Sequence, residues 1–367
     1  LQAVCRLRLN KLGIFCLISA AALLFLLRTE MPLLGRGRGV SIKELLSVSI
    51  ELCERAGQQI LRHRAAAKIN KSSAQISDSA PPVTKADLAS NAELVFGFHK
   101  SFPWLHVVSE ESQSAPVDYR ALALASHRHP DLEPLRHDFF VNSNDVLVWV
   151  DPLDGTQEFT EHLLQYVSVQ VCVAYRGTPL LGVLHFPFAN KTYWAWRNSR
   201  VSDSLKEQLN LPIVLDKHVL KSDSHIKGAA DKSHRRRRVL ISRSHRGAQL
   251  NSTARKLFPN ESVDLLSAAG AGYKLLLLSK GLADNYLHAG PIKKWDLCAG
   301  QAILEAMGGR LNSLRSMGTD STSSGHLHRI NYDNAEQYKH SDGFIAFAPS
   351  PSPTPKRPPT KDPRLSQ

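Results

Sequence analysis

The chain has 367 residues, of which 43% are apolar and 22% charged, with a formal net charge of +13. That length buries one large core or two layered subdomains, and the apolar and charged fractions are those of a globular protein. The basic excess raises nucleic-acid binding. Its clusters, Arg235–Arg238 and Lys356-Arg357, fall outside the expected elements and no nucleic-acid module is visible, so no nucleic acid is expected as a partner.

In chain order, residues 1–11 read as a short cytosolic N-terminus and residues 12–28 as a signal-anchor transmembrane helix. Leu12 to Leu27 is uncharged, is flanked by Arg6, Arg8, Lys11 and Arg28, and stays apolar past Ser19-Ala20-Ala21-Ala22, so it reads as uncleaved. As a helix it spans about 24 Å, short for a hydrocarbon core of about 30 Å, and a thinner early-secretory membrane suits it. Residues 29–40 read as a linker. Ser41-Ile42-Lys43-Glu44 is a capping box, and Leu45, Ser49, Leu52, Cys53, Ala56 and Ile60 continue at helical spacing. Val83 to Asp87 opens a second helix. The short strand Leu105–Val108 runs into Ser109-Glu110-Glu111-Ser112, and a His/Pro-rich insertion follows at 113–142.

Val146 to Val150 reads as a buried strand ending in Asp151-Pro152-Leu153-Asp154-Gly155-Thr156, a turn that gathers hard oxygen donors suited to a divalent cation. Strands are expected at 167–174, 180–186 and 192–196, with a hairpin turn at 176–179. Residues 197–238 read as a charged surface loop, whose Arg235–Arg238 run resembles a basic-pair protease site. The strand Val239–Ile241 leads into Ser242-Arg243-Ser244-His245. Ala269-Gly270-Ala271-Gly272-Tyr273-Lys274 reads by itself as an ordinary strand–helix turn ahead of a helix. Lys293-Lys294-Trp295-Asp296 places Asp296 in the first turn of another helix. The two lysines read as solvated charges or as attraction for a polyanion. The tail, 349–367, is expected to be disordered. Cys53, Cys172 and Cys298 read as buried free thiols rather than a disulfide framework. Sequons stand at Asn70, Asn190, Asn251 and Asn260, of which Asn260 is favoured.

Val-Thr-x-x-Asp, Glu-Glu, Asp-Pro-Leu-Asp-Gly-Thr and Lys-Lys-Trp-Asp, in this order, resemble the lithium-sensitive, magnesium-dependent phosphomonoesterases. That superfamily includes inositol monophosphatase, fructose bisphosphatase and the bisphosphate nucleotidases. Gln157-Glu158-Phe159, Ser242–His245 and Ala269–Lys274 resemble its nucleotidase branch, and the anchor resembles that of Golgi-luminal members. The resemblance implies an α/β (layered α+β) fold, an αβαβα sandwich over 41–348, preceded by one transmembrane helix. It implies two or three magnesium ions held by Asp87, Glu110, Asp151, Asp154, Asp296 and the carbonyl of Leu153. Asp87 and Thr156 would be catalytic, holding the attacking water, and Glu111 reads as a solvated or outer acid. Thr156, Ser242, His245, Gly270 and Lys274 would contact substrate, with the backbone N–H groups of Gly270-Ala271-Gly272 approaching a phosphate ahead of the helix start.

The implied reaction is hydrolysis of the 3′-phosphate of adenosine 3′,5′-bisphosphate in the Golgi lumen, in support of sulfation, by a single-pass type II protein. A homodimer is compatible with this reading. Its rivals are an inositol polyphosphate 1-phosphatase, a catalytically inactive anchored binding protein, and a basic matrix- or nucleic-acid-binding protein.

Overall fold

In the computed structural model the described residues are 37–69, 84–112, 121–209, 211–220, 236–244, 248–259, 261–317 and 329–350. The stretch 12–28 expected as an anchor, His245, Asn260 and the tail beyond 350 lie outside them. Among the described residues no helix is long and apolar enough to cross a membrane.

The chain opens with β1 (Gly39–Ser41), α1 (Ile42–Ile69), α2 (Lys85–Ser101) and β2 (His106–Ser109). It continues through β3 (Phe140–Asn142), β4 (Val146–Asp154), the short α3 (Thr156–Thr160), β5 (Ser168–Tyr175), β6 (Thr178–Phe186), β7 (Lys191–Trp196) and β8 (Arg200–Val201). A second half holds α4 (Asp203–Lys206), β9 (Asp216–Leu220), β10 (Arg237–Ser242), α5 (Ala248–Leu257), β11 (Val263–Ala268), α6 (Ala271–Ser279) and β12 (Asn285–His288). It closes with β13 (Ile292–Lys293), α7 (Lys294–Ala306), β14 (Arg310–Ser313), β15 (Lys339–His340) and β16 (Phe344–Phe347).

Two six-stranded sheets result, ordered β2-β4-β5-β6-β7-β8 and β14-β16-β12-β10-β11-β9. Strand alternation then dictates the layers. Val148, Val150, Val171 and Val183 point from the first sheet onto α1 and α2. Trp149, Cys172, Leu184 and Phe186 point the other way, onto α6 and α7, which separate the two sheets. The outer face of the second sheet packs on α5 through Val239, Ile241, Leu250 and Ala254. The order is helix, sheet, helix, sheet, helix, as the resemblance implied. Leu45, Ser49, Leu52, Cys53, Ala56 and Ile60 are all fully buried on α1, and Arg176 and Gly177, both at positive φ, close the β5–β6 hairpin.

Several expectations are corrected. Cys172 and Cys298 are not free thiols. They form a disulfide that ties β5 to α7 across 126 residues, leaving Cys53 as a free, buried cysteine. Closing a loop of that length contributes about 5 kcal/mol in the chain-entropy picture. The segment 197–238 is not one surface loop: it contains β8, α4 and β9, and Arg237 and Arg238 begin β10. Arg236 pairs with Asp264, Arg237 with Glu261 and Arg238 with Asp284. Backbone pairing of β10 with β11 on one side and β12 on the other puts these cations beside acids distant in sequence. Gly39 and Val40, expected as linker, form a ribbon with β3 inside the expected 113–142 insertion. Ser41 Oγ accepts from the Glu44 N–H at 3.0 Å, and Asp138 accepts from both the Ser41 hydroxyl and the Lys43 N–H. The insertion thus caps α1.

One core group makes stability depend on pH. His185 on β6 is 1% exposed, with Nδ1 3.0 Å from Thr192 Oγ1, whose own proton goes to Glu54 at 2.8 Å. The ring therefore donates Nδ1–H and stays neutral, and burial pushes its pKa down to about 4. The unfolded value is about 6.5, so the unfolded state takes up the proton first as pH falls. The contribution is complete above pH 6.5 and is lost toward pH 4, up to about 3 kcal/mol. In urea titrations across this window, His185→Gln should flatten the fall in stability relative to wild type. An equal fall in both would show that His185 is not the group responsible.

Candidate active site

β4 is buried along its whole length and carries the acidic turn at its end. The sequence reading ends the strand at Val150, but pairing with β5 resumes at Asp154 after a register shift following Asp151. Pro152, which has no N–H to give, sits within that irregularity, and its carbonyl accepts from Ser90 Oγ of α2 at 2.6 Å. Leu153 N–H turns back onto Asp151 Oδ1 at 3.0 Å. Gly155, at φ 86, makes the left-handed step that starts α3.

Three acids from separate elements meet here. β2 runs parallel to β4, and Glu110 N–H continues that pairing to the Val150 carbonyl at 3.1 Å. Asp296 lies in the first turn of α7. Carboxylate oxygens of Glu110, Asp151 and Asp296 all lie within 4.8 Å of one another. Burial, then the neighbouring carboxylates of Glu110, Asp154 and Asp296, hold Asp151 well above the usual carboxylate range. Asp296 is raised in the same way by burial, Glu110 and Asp154. Glu111 is pushed up to about 7 by burial and then by Asp87 and Glu110.

Asp154 lines the same cavity but points at α6. It accepts from Ala271 N–H at 3.2 Å and Gly272 N–H at 3.0 Å. These are the helix-start donors that the sequence reading assigned to a phosphate, so a protein carboxylate uses them instead. Gly270, at φ 62, allows this approach: a Cβ there would sit 2.6 Å from the Tyr166 carbonyl and 3.3 Å from Asp154 Oδ2. Lys274, 2% exposed, donates to the Gly270 carbonyl at 2.7 Å. Burial pulls its pKa down to about 8, against the attraction of Asp154, Glu158 and Asp296.

Beside the acids, Thr84 caps α2, and Asp87 completes a capping box by accepting from Thr84 N–H at 2.8 Å. Thr84 Oγ1 also donates to Asp87 Oδ2. Thr156 Oγ1 lies 3.1 Å from both Asp87 Oδ1 and the Leu153 carbonyl. Burial raises Asp87, and the hydrogen bonds from Thr84 and Thr156 oppose that rise.

The cavity, of about 320 Å³, lies where both sheets end their parallel strands. Such strand ends are where α/β folds gather ligands. Its far wall is Ser242, with Oγ 3.2 Å from His288 Nδ1 and 3.4 Å from the Tyr286 hydroxyl. The sequence reading missed His288, Tyr286, Arg243 and the buried Glu158. Glu158 and Arg243 had signals in Gln157-Glu158-Phe159 and Ser242-Arg243-Ser244-His245, whereas His288 is visible only through its place at the end of β12. Lys293 is not a free surface charge: Nζ hydrogen-bonds Glu110 at 3.0 Å. Lys294 is buried and lines a different cavity.

The donor set fits a hard divalent cation. All its atoms are oxygens, and buried carboxylates this close repel one another unless positive charge compensates them.

Residues 41–340 match the model of the inositol monophosphatase family. A protein of Drosophila melanogaster named putative inositol monophosphatase 3 is 34% identical over 330 residues, covering 88% of this chain and 81% of the relative. The human protein named Golgi-resident adenosine 3′,5′-bisphosphate 3′-phosphatase is 34% identical over 288 residues, covering 76% and 73%. Among solved structures, CysQ from Bacteroides thetaiotaomicron superposes with a TM-score of 0.55 at 22% identity, over 84% of this chain and 98% of that one. A family match over residues 41–340, with Glu110, Asp151, Asp154 and Asp296 gathered at one cavity, leads to one assignment: the chain belongs to the inositol monophosphatase family.

Proposed function

We propose that this phosphatase removes the 3′-phosphate from adenosine 3′,5′-bisphosphate, giving AMP and phosphate. The convergence of Glu110, Asp151 and Asp296 within 4.8 Å carries the reading. These three, with Asp154, Asp87 and the Leu153 carbonyl, would hold two or three magnesium ions. When bound, magnesium polarises phosphoryl oxygens and lowers the pKa of a coordinated water. The chain's own residues then divide the work. Thr156 orients the attacking water through its hydroxyl, and Asp87, hydrogen-bonded to that hydroxyl, accepts the proton. Lys274, which lines the cavity, would supply positive charge toward the substrate anion, while Ser242, Gly270 and His245 would contact the nucleotide.

The luminal location is part of the same proposal. The apolar stretch at 12–28 would anchor a type II protein in the Golgi membrane, and Asn260 would be glycosylated. The Cys172–Cys298 disulfide supports an oxidising compartment, and relatives carry the Golgi-resident name.

The full chain, purified with magnesium, should release phosphate from adenosine 3′,5′-bisphosphate at least about tenfold faster than from inositol 1,4-bisphosphate, a ratio worth about 1.4 kcal/mol. The reverse preference would make it an inositol polyphosphate 1-phosphatase. Turnover of neither by folded protein would leave an inactive binding protein.

A further inference from the structure

A second cavity, of about 400 Å³, flanks the β13–β15 ribbon and shares no lining residue with the catalytic one. Lys294, Arg315, Arg329, Lys339 and His340 line it, with Asp342 as the single carboxylate among its lining residues. Lys294 is 6% exposed, and its ammonium packs over the Trp149 ring, 5.6 Å from the centroid. Among the described residues that ammonium forms no hydrogen bond or ion pair, and neither do the side chains of Arg315, Arg329 and Lys339. Asp333 attracts Lys294 without pairing with it. Other cations in this fold are matched: Arg55 with Glu93, Arg197 with Glu305, Arg236 with Asp264 and Lys293 with Glu110. Four cationic side chains around one lining carboxylate leave this cavity with an excess of positive charge that an anion would balance.

We propose that this cavity is an anion site, separate from the catalytic centre, that binds a sulfate or phosphate group. Arginine and lysine side chains converging on one small volume match a tetrahedral oxyanion. The volume exceeds that of one oxyanion and accommodates a sugar that carries it. A bound group would bridge Lys294 at the start of α7 to Arg329, Lys339 and Arg315, fastening these segments to the helix that bears Asp296. The site is independent of which ester the catalytic cavity hydrolyses.

The test is equilibrium dialysis of the metal-free full chain against radiolabelled sulfate. Wild type should bind one sulfate through this site. Lys294→Met should weaken it at least about tenfold, the loss expected for one charge-assisted contact. Because Lys294 is buried, the surface double variant Arg329→Ser/Lys339→Ser serves as a second test that leaves the core intact, with the same expected loss. Lys274→Met, in the catalytic cavity, should leave this binding unchanged. Competition with inorganic phosphate and with a sulfated disaccharide separates the sources. Stronger competition by the disaccharide identifies a sugar ester, and equal or weaker competition a free oxyanion. The proposal is overturned if wild type binds no sulfate, if binding survives both sets of changes, or if only Lys274→Met removes it.

Discussion

Asp151→Asn is expected to lower phosphate release by on the order of 10³-fold while raising the melting temperature of the metal-free protein. Both effects have one cause. Asp151 is 1% exposed, and its oxygens crowd those of Glu110 and Asp296. Burial and the like charges of Glu110, Asp154 and Asp296 raise its pKa, so without a cation the carboxylates repel one another. An amide of the same shape removes one of the repelling charges, and each kcal/mol relieved is worth about 2–4 °C in a chain of this size class. The amide also keeps an oxygen to accept the Leu153 N–H, so the turn should persist. Added magnesium should raise the melting temperature of wild type by mass action and that of the variant much less. Calorimetry with and without magnesium, beside a phosphate-release assay, checks both halves. A variant that keeps wild-type turnover, or responds equally to magnesium, would remove Asp151 from the metal site.

Thr156→Ala should lower kcat by about 10²–10³-fold and leave magnesium-dependent stabilisation intact. The hydroxyl reaches Asp87 Oδ1 and the Leu153 carbonyl, each at 3.1 Å, so it fixes one orientation at the edge of the acid cluster. Thr156→Ser should recover most of the activity, because it restores the hydroxyl and loses only a methyl group. Asp87→Asn should give a similar loss of turnover with an added cost of about 1 kcal/mol, since Asp87 also completes the cap of α2. The two residues act as a unit, so the double variant should be little worse than either single one. Additive losses would show that Thr156 and Asp87 work separately.

The local features were legible because they depend on near neighbours. Alternation marked the strands around Val148 and Val171, helical spacing marked α1, and the turn chemistry at 151–156 announced oxygen donors. The motifs named the acids. Sequence alone could not separate Asp154, held by the start of α6, from the trio that converges. The edge of the strand was also misjudged, since Asp151 to Asp154 reads as a turn but partly pairs as a strand.

What the sequence determined by itself was the set of chemically capable groups and the elements that carry them. The tertiary structure decided which of those groups meet. Glu110 and Asp296 lie far apart along the chain, and only the packing of α7 between the sheets makes them neighbours. The same packing turns two apparently free thiols into a disulfide, neutralises the Arg236–Arg238 run and aims Lys293 and Lys294 into different cavities. Periodicity reports a side chain's face, whereas charge pairing and covalent closure depend on distance to atoms contributed by remote strands and helices.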